Sequence, residues 1–274
     1  MRNAFPPLPF SDSRRLTGPN LYFAQPGAVL ETVGDGAEDA ARFAAWRDYV
    51  ARGRSALGWP DAPLVVRQHR GGAALAFAAP VDQLLTATEL NEAAWQAACD
   101  ARVLHAPGHP AGWDEASALH TLQRYAAMEI RPTLRALLAA AQARGTPALL
   151  DDEQLTLGLG RYSRSWPLDA LPDSVAVPWD TLKAIPVALV TGSNGKTTTV
   201  RLLAALLRAQ GLQVSHSCTD GVFIDDAQLE SGDWSGPAGA RAALRHPQAE
   251  AAVLETARGG ILRRGLAVDH ADAA

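Results

Sequence analysis

The chain is poor in lysine. Of 25 Lys and Arg residues in 274, only Lys183 and Lys196 are lysines. It has two cysteines, Cys99 and Cys218, too few for a disulfide framework or a Cys-rich zinc site. It has no excess of basic charge: the net charge is -4 and the sequence pI is about 6.0. That removes the footprint of a dedicated nucleic-acid binder. No run approaches the roughly 18 apolar residues of a membrane span. Pro6, Pro7 and Pro9 break the N-terminus where a secretory signal needs an apolar helix. What is present is a chain 47% hydrophobic and 20% charged. Such a composition buries a core and fills one large domain or two ordinary ones. The expectation is a soluble cytoplasmic protein with neither nucleic acid nor membrane as partner; a homo-oligomer stays open. The 54 alanines and the arginine excess match GC-rich coding. A sequence that avoids lysine so strongly keeps one where chemistry demands it.

Periodicity divides the chain near residue 180. The first part alternates between helical and extended patterns. Residues 20–31 read as extended and 37–57 as a helix, with Phe43, Trp46, Val50 and Leu57 near helical spacing. Residues 64–68 and 73–79 read as a hairpin across Gly71-Gly72. A helix over 82–98 follows. A long helical pattern over 114–144 should be kinked or split by Pro132. Short strands are expected at 148–150 and 154–157. Four prolines between 158 and 186 mark a linker. From 187 the order becomes strand, glycine loop, helix: a buried strand at 187–190, a helix at 196–210 and a strand at 212–215. A hairpin over 222–224 and 228–230, a helix over 237–245 capped by Ser235, and a strand at 251–254 complete it. The fold class is α/β: an N-terminal α+β domain (1–157), a Pro-rich linker (158–186) and an incomplete P-loop parallel-sheet domain (187–274). The seven tryptophans, Trp113 among them, read as packing residues.

The informative segment is Val-Thr-Gly-Ser-Asn-Gly-Lys-Thr-Thr-Thr at 190–199. Between a strand and a helix, such glycines turn the backbone tightly and aim N–H groups at one point, as in a P-loop. The helix start adds unpaired amides and partial positive charge. Thr191, Gly192, Ser193, Asn194, Gly195, Lys196, Thr197 and Thr198 are the expected nucleotide-binding residues. Lys196 would reach the β- and γ-phosphates and Thr197 would offer its hydroxyl to Mg²⁺. A P-loop metal site takes a second ligand from an acid at another strand's C-terminal end, and Glu255 stands there. Lys196 and Glu255 are therefore the catalytic candidates, Thr197 and Glu255 the metal candidates, ATP and Mg²⁺ the cofactors.

The P-loop pattern G-x-x-x-x-G-K-[ST] asks for glycine where Val190 stands; the glycine is Gly192. This short T-G-x-N-G-K-T-T form resembles the Mur ligase superfamily, whose members include peptidoglycan amino-acid ligases, folylpolyglutamate synthases and cyanophycin synthetases. The cyanophycin synthetase branch is the most similar. Its resemblance is carried by Glu255-Thr-Ala-Arg-Gly-Gly-Ile-Leu-Arg263, by Gly265-Leu266, by Thr219-Asp220-Gly221-Val222 and by Gly232-Asp233-Trp234-Ser235-Gly236-Pro237. Upstream, Gly18-Pro19-Asn20 and Leu157-Gly158-Leu159-Gly160 resemble that branch in patches. The linker stands where that branch carries an ATP-grasp module. The resemblance implies ATP-dependent amide formation. A small-molecule or peptide carboxylate becomes an acyl phosphate, which an amino-acid-like amine attacks. It also implies Glu255 as a metal ligand. Arg258 or Arg263 could hold a carboxylate or phosphate, against a plain surface role; Asp220 and Asp233 could orient substrate, against turn chemistry. The family's later histidine and C-terminal domain have no counterpart here, so the expectation is a C-terminally truncated chain not competent by itself. His105 and His109, in a Pro-containing loop, are not expected as a metal pair, and His270 is not assigned as a ligand. Competing readings are a P-loop kinase or nucleotide hydrolase, and a non-catalytic nucleotide-binding protein.

Overall fold

A computed structural model describes residues 9–34, 40–99 and 115–274. Two compact units emerge: Met1–Leu16 with Tyr22–Ile130, and Thr17–Leu21 with Arg131–Ala274.

The first unit is a four-stranded antiparallel sheet covered by helices. Its strands β1 (Phe10–Leu16), β2 (Gly27–Thr32), β3 (Leu64–His69) and β4 (Gly72–Ala78) lie in the order β1-β2-β4-β3. Helices α1 (Ala40–Ala56), α2 (Leu84–Cys99) and α3 (Glu115–Glu129) bury Phe43, Trp46, Trp95, Leu90 and Leu122 against Leu30, Leu75 and Phe77. The extended pattern at 20–31 narrows to β2. The sequence missed β1, an edge strand whose Phe-Ser-Asp-Ser-Arg-Arg-Leu offers little apolar alternation. Pro132 does split the long helical pattern: it lacks the N–H an unbroken helix needs and opens α4 (Pro132–Ala143) in the second unit.

In the second unit, β5 (Ala148–Leu150), β6 (Gln154–Leu157) and β7 (Arg164–Pro167) form a small antiparallel sheet packed on α4. The stretch expected as a linker is therefore folded. It contributes β7 and three 3-10 turns, and it buries Leu159, Val177, Leu182 and Ile185. Its prolines punctuate turns within a core-bound segment. The second sheet runs β11-β10-β9-β12-β8, built from β8 (Val187–Val190), β9 (Val214–Cys218), β10 (Gly221–Ile224), β11 (Ala227–Ser231) and β12 (Ala251–Glu255). The three strands β8, β12 and β9 are parallel; the β10–β11 hairpin is antiparallel and turns at Asp225, whose φ is 49°. Expected at 212–215, β9 starts two residues later. Helix α5 (Lys196–Ala209) covers one face through Val200 and Ala204. Helix α6 (Pro237–Leu244) covers the other through Ala240, Ala243 and Leu244. Gly236, not Ser235, caps α6; the Ser235 hydroxyl donates to Asp233 instead. A short α7 (Arg258–Arg264) follows β12. Beyond it, Ala273 bridges Ala188 in parallel along the other edge of β8. No helix among the described residues is long and apolar enough to cross a membrane.

Candidate nucleotide site

Strand β8 delivers the chain into the 191–195 loop, and Gly195 delivers it into α5. Gly195 caps that helix with φ 79°, a left-handed conformation that side chains resist. No side chain caps α5, and its first internal bond runs from Thr199 N to Gly195 O at 2.9 Å. The amides of 196–198 therefore stay open at the positive end of the helix dipole. Thr191 to Gly195 and Thr198 are exposed, while Lys196 and Thr197 are half-buried. Among the described residues Lys196 has no ion-pair partner, so its ammonium can meet an incoming anion.

The strand order brings the acid to this loop. With β12 inserted between β9 and β8, the parallel register sets Glu255 opposite Val190, the residue before the loop. Glu255 is 3% exposed. Its Oε2 accepts from the Thr197 hydroxyl at 2.8 Å and from the Thr219 amide at 3.3 Å. Its Oε1 accepts from the Thr219 hydroxyl at 3.0 Å, and the two hydroxyls lie 3.1 Å apart. Among the described residues no basic side chain pairs with Glu255. A buried carboxylate held only by neutral donors is costly, and a cation relieves that cost. The donors are all oxygen and the site carries one negative charge, which fits a hard divalent ion such as Mg²⁺.

Thr219 is the member that sequence reasoning missed. It follows β9 directly, and its place beside Glu255 depends on β9 and β12 being neighbours, which no linear pattern states. Its signal was its position in the Thr219-Asp220-Gly221-Val222 stretch.

The family profile for the Mur ligase middle domain matches residues 190–270, from the loop to beyond α7. Residues 190–270 are thus similar to a Mur ligase middle domain. The chain is 49% identical over 113 residues to a cyanophycin synthetase from Synechocystis sp., covering 39% of this chain and 13% of that protein. It is 53% identical over 88 residues to the cyanophycin synthetase of Trichormus variabilis, covering 32% and 10%. The D-glutamate ligase acting on UDP-N-acetylmuramoylalanine in Streptomyces coelicolor is 36% identical over 97 residues, covering 35% and 17%. Each match thus spans less than a fifth of the relative's length.

Within the matched region the other candidates are set apart from the Thr197–Thr219–Glu255 cluster. Asp220 pairs with Arg201 at 3.2 Å on an exposed surface. Asp233 accepts from both the amide and the hydroxyl of Ser235, which hold its carboxyl below the usual range. Arg258 opens α7 and Arg263 lies in its last turn, both exposed. His270 is exposed. His105, His109 and Trp113 lie outside the described residues.

Proposed function

We infer that this chain supplies the nucleotide-binding part of an ATP-dependent ligase that forms an amide between a carboxylate and an amine. The observation that carries this reading is the 2.8 Å contact between Thr197 of the phosphate loop and the buried Glu255. The Mur ligase match and the cyanophycin synthetase relatives support it.

The proposed roles follow from position. The loop amides and the N-terminus of α5 cradle the phosphates of ATP. Lys196 neutralises the γ-phosphate as a second anion, the substrate carboxylate, approaches it. Thr197 and Glu255 would hold Mg²⁺, with Thr219 orienting the Glu255 carboxylate. Magnesium bound there supplies charge neutralisation at the phosphate oxygens. The carboxylate oxygen bonds to the γ-phosphorus and ADP departs with the bridging electrons. The amine then bonds to the acyl carbon, loses a proton, and phosphate leaves.

Phosphate release from ATP, measured with a panel of amino acids and dipeptides, tests the reading. Release that requires both a carboxylate and an amine supports a ligase. Release indifferent to both supports a nucleotide hydrolase and overturns it, as does a chain whose affinity for MgATP is unchanged by Lys196→Ala.

A further inference from the structure

The second unit contains a cavity of about 420 Å³ to which Lys196, Thr197, Thr219 and Glu255 do not contribute. Segments far apart in sequence build it: Thr17, Asp152 between β5 and β6, Asp233 and Trp234 ahead of α6, Arg241 within α6 and Arg264 at the end of α7. Thr17 and Asp152 lie outside the Mur ligase middle-domain match. The Thr17 segment is pinned in place: Thr17 N donates to Arg264 O at 3.1 Å, Leu266 N donates to Pro19 O at 2.7 Å, and a Cβ on Gly18 would stand 2.3 Å from the Leu266 carbonyl oxygen.

Arg241 is the unexplained group. It is more than nine-tenths buried, at 8% exposure. One Nη donates to the Thr17 hydroxyl at 2.9 Å, but its Nε has no partner. No carboxylate among the described residues lies within ion-pair distance of it. Asp151, the charge that attracts it most, is already engaged by Arg245 and by the amides of Glu153 and Gln154. Arg245 and Arg264 oppose its charge further, and burial pulls its pKa down. Buried arginines are normally paired, because an isolated buried charge is costly. A guanidinium left in this condition at a cavity wall is a receptor for a planar anion, and a carboxylate matches its fork in two parallel bonds.

The rest of the wall specifies more than an anion. Arg264 adds a second cation, and the N-terminus of α6, with no side-chain cap, adds partial positive charge. Asp233, held ionised by Ser235, and Asp152 supply the opposite sign, with Trp234 as an apolar wall. The volume falls within the ~300–1,000 Å³ of small-molecule sites. We propose that this cavity binds a small zwitterion, a free amino acid or dipeptide, with its carboxylate on Arg241 and Arg264 and its ammonium toward Asp233 and Asp152. The site is separate from the phosphate loop and its occupation needs no nucleotide.

Isothermal titration of the purified chain without nucleotide tests this, so failure of the phosphate loop leaves the result unaffected. The probes are the free L-amino acids and glycyl dipeptides, each beside its N-acetyl and its C-terminal amide form. At least one free zwitterion should bind saturably at about 1 mM or better. Both of its blocked forms, and Arg264→Gln against the free form, should each lose about tenfold or more. Arg241→Gln should lose binding altogether; because it is buried, its fold is checked by circular dichroism, and the exposed Arg264 variant decides if it unfolds. The proposal is overturned if no probe binds, if blocked forms bind as well as free ones, or if binding survives Arg264→Gln unchanged.

Discussion

The two units spend their buried polar groups differently. In the first, several close on one another, and the buried Arg54, although its Nε is unbonded, donates through both Nη atoms to the Ala62 and Pro60 carbonyls. The Trp46 indole donates to Asn91 Oδ1 at 2.8 Å, and the Asn91 amide donates to the Leu75 carbonyl at 2.9 Å. Trp59 donates to Gln83, which donates on to the Ala126 carbonyl. These chains begin on a helix or loop and end on backbone, so they fix packing. In the second unit, Glu255 is buried with only neutral donors around it, and Arg241 is buried with a nitrogen unbonded. A fold carries such incompletely compensated charges at a cost of stability. Glu255 at the end of β12 and Arg241 within α6 are therefore the second unit's candidates for binding.

Four experiments break or sharpen this contrast. The largest effect is expected for Lys196→Ala, which removes the loop's ammonium. ATP-dependent turnover should fall about 10²–10³-fold, with thermal stability nearly unchanged. A loss of folding instead would mean that Lys196 belongs with the closed networks. Next, Asn91→Ala should cost about 2–3 kcal/mol by orphaning the Trp46 indole, read from the urea midpoint; a shift below about 0.5 kcal/mol, within surface-mutation scatter, would deny that the first unit's network is structural. Glu255→Gln should act the other way round. Removing a buried charge without a cationic partner leaves stability level or slightly higher, while Mg²⁺-dependent nucleotide affinity drops about tenfold. A large destabilisation by this variant would erase the contrast.

The last effect is graded by pH. His216 is buried on β9, stacked on Phe223 at 4.7 Å, and burial with Arg208 and Arg201 nearby lowers its pKa to about 4. The folded chain keeps this ring neutral while the unfolded chain protonates it near the ordinary value of about 6.5. Its contribution to stability is therefore complete above about pH 6.5 and declines as pH falls from there to about 4. Urea unfolding between pH 7.5 and 4.5 should show a decline approaching one proton's slope, about 1.4 kcal/mol per pH unit. His216→Gln should flatten it, and an unaltered slope in that variant would assign the dependence elsewhere.

Much of this was legible in the sequence. The strands at 148–150, 154–157 and 187–190 fell where the apolar runs stood, because local chain chemistry decides them. The candidate phosphate loop was legible because its elements are contiguous: glycine conformations, a lysine and a threonine within a single turn. Even Lys183, unexplained by pattern, needed only the fold to show its ammonium 5.8 Å from the Tyr162 ring. The linker reading failed because proline and glycine spacing describes turns and says nothing of whether Leu159, Val177, Leu182 and Ile185 find a core.

Sequence by itself therefore determined the strand, loop and helix of the candidate nucleotide site and named Glu255 beside it, since strand, loop and helix are short-range matters. Only the tertiary structure decided that Thr219 completes the Glu255 cluster. It also decided that Gly18-Pro19-Asn20 docks on 264–266, and that Thr17, Asp233, Arg241 and Arg264 share a cavity. Those contacts depend on strand order and on which buried charges go unpaired, and both are fixed only when distant segments are packed together.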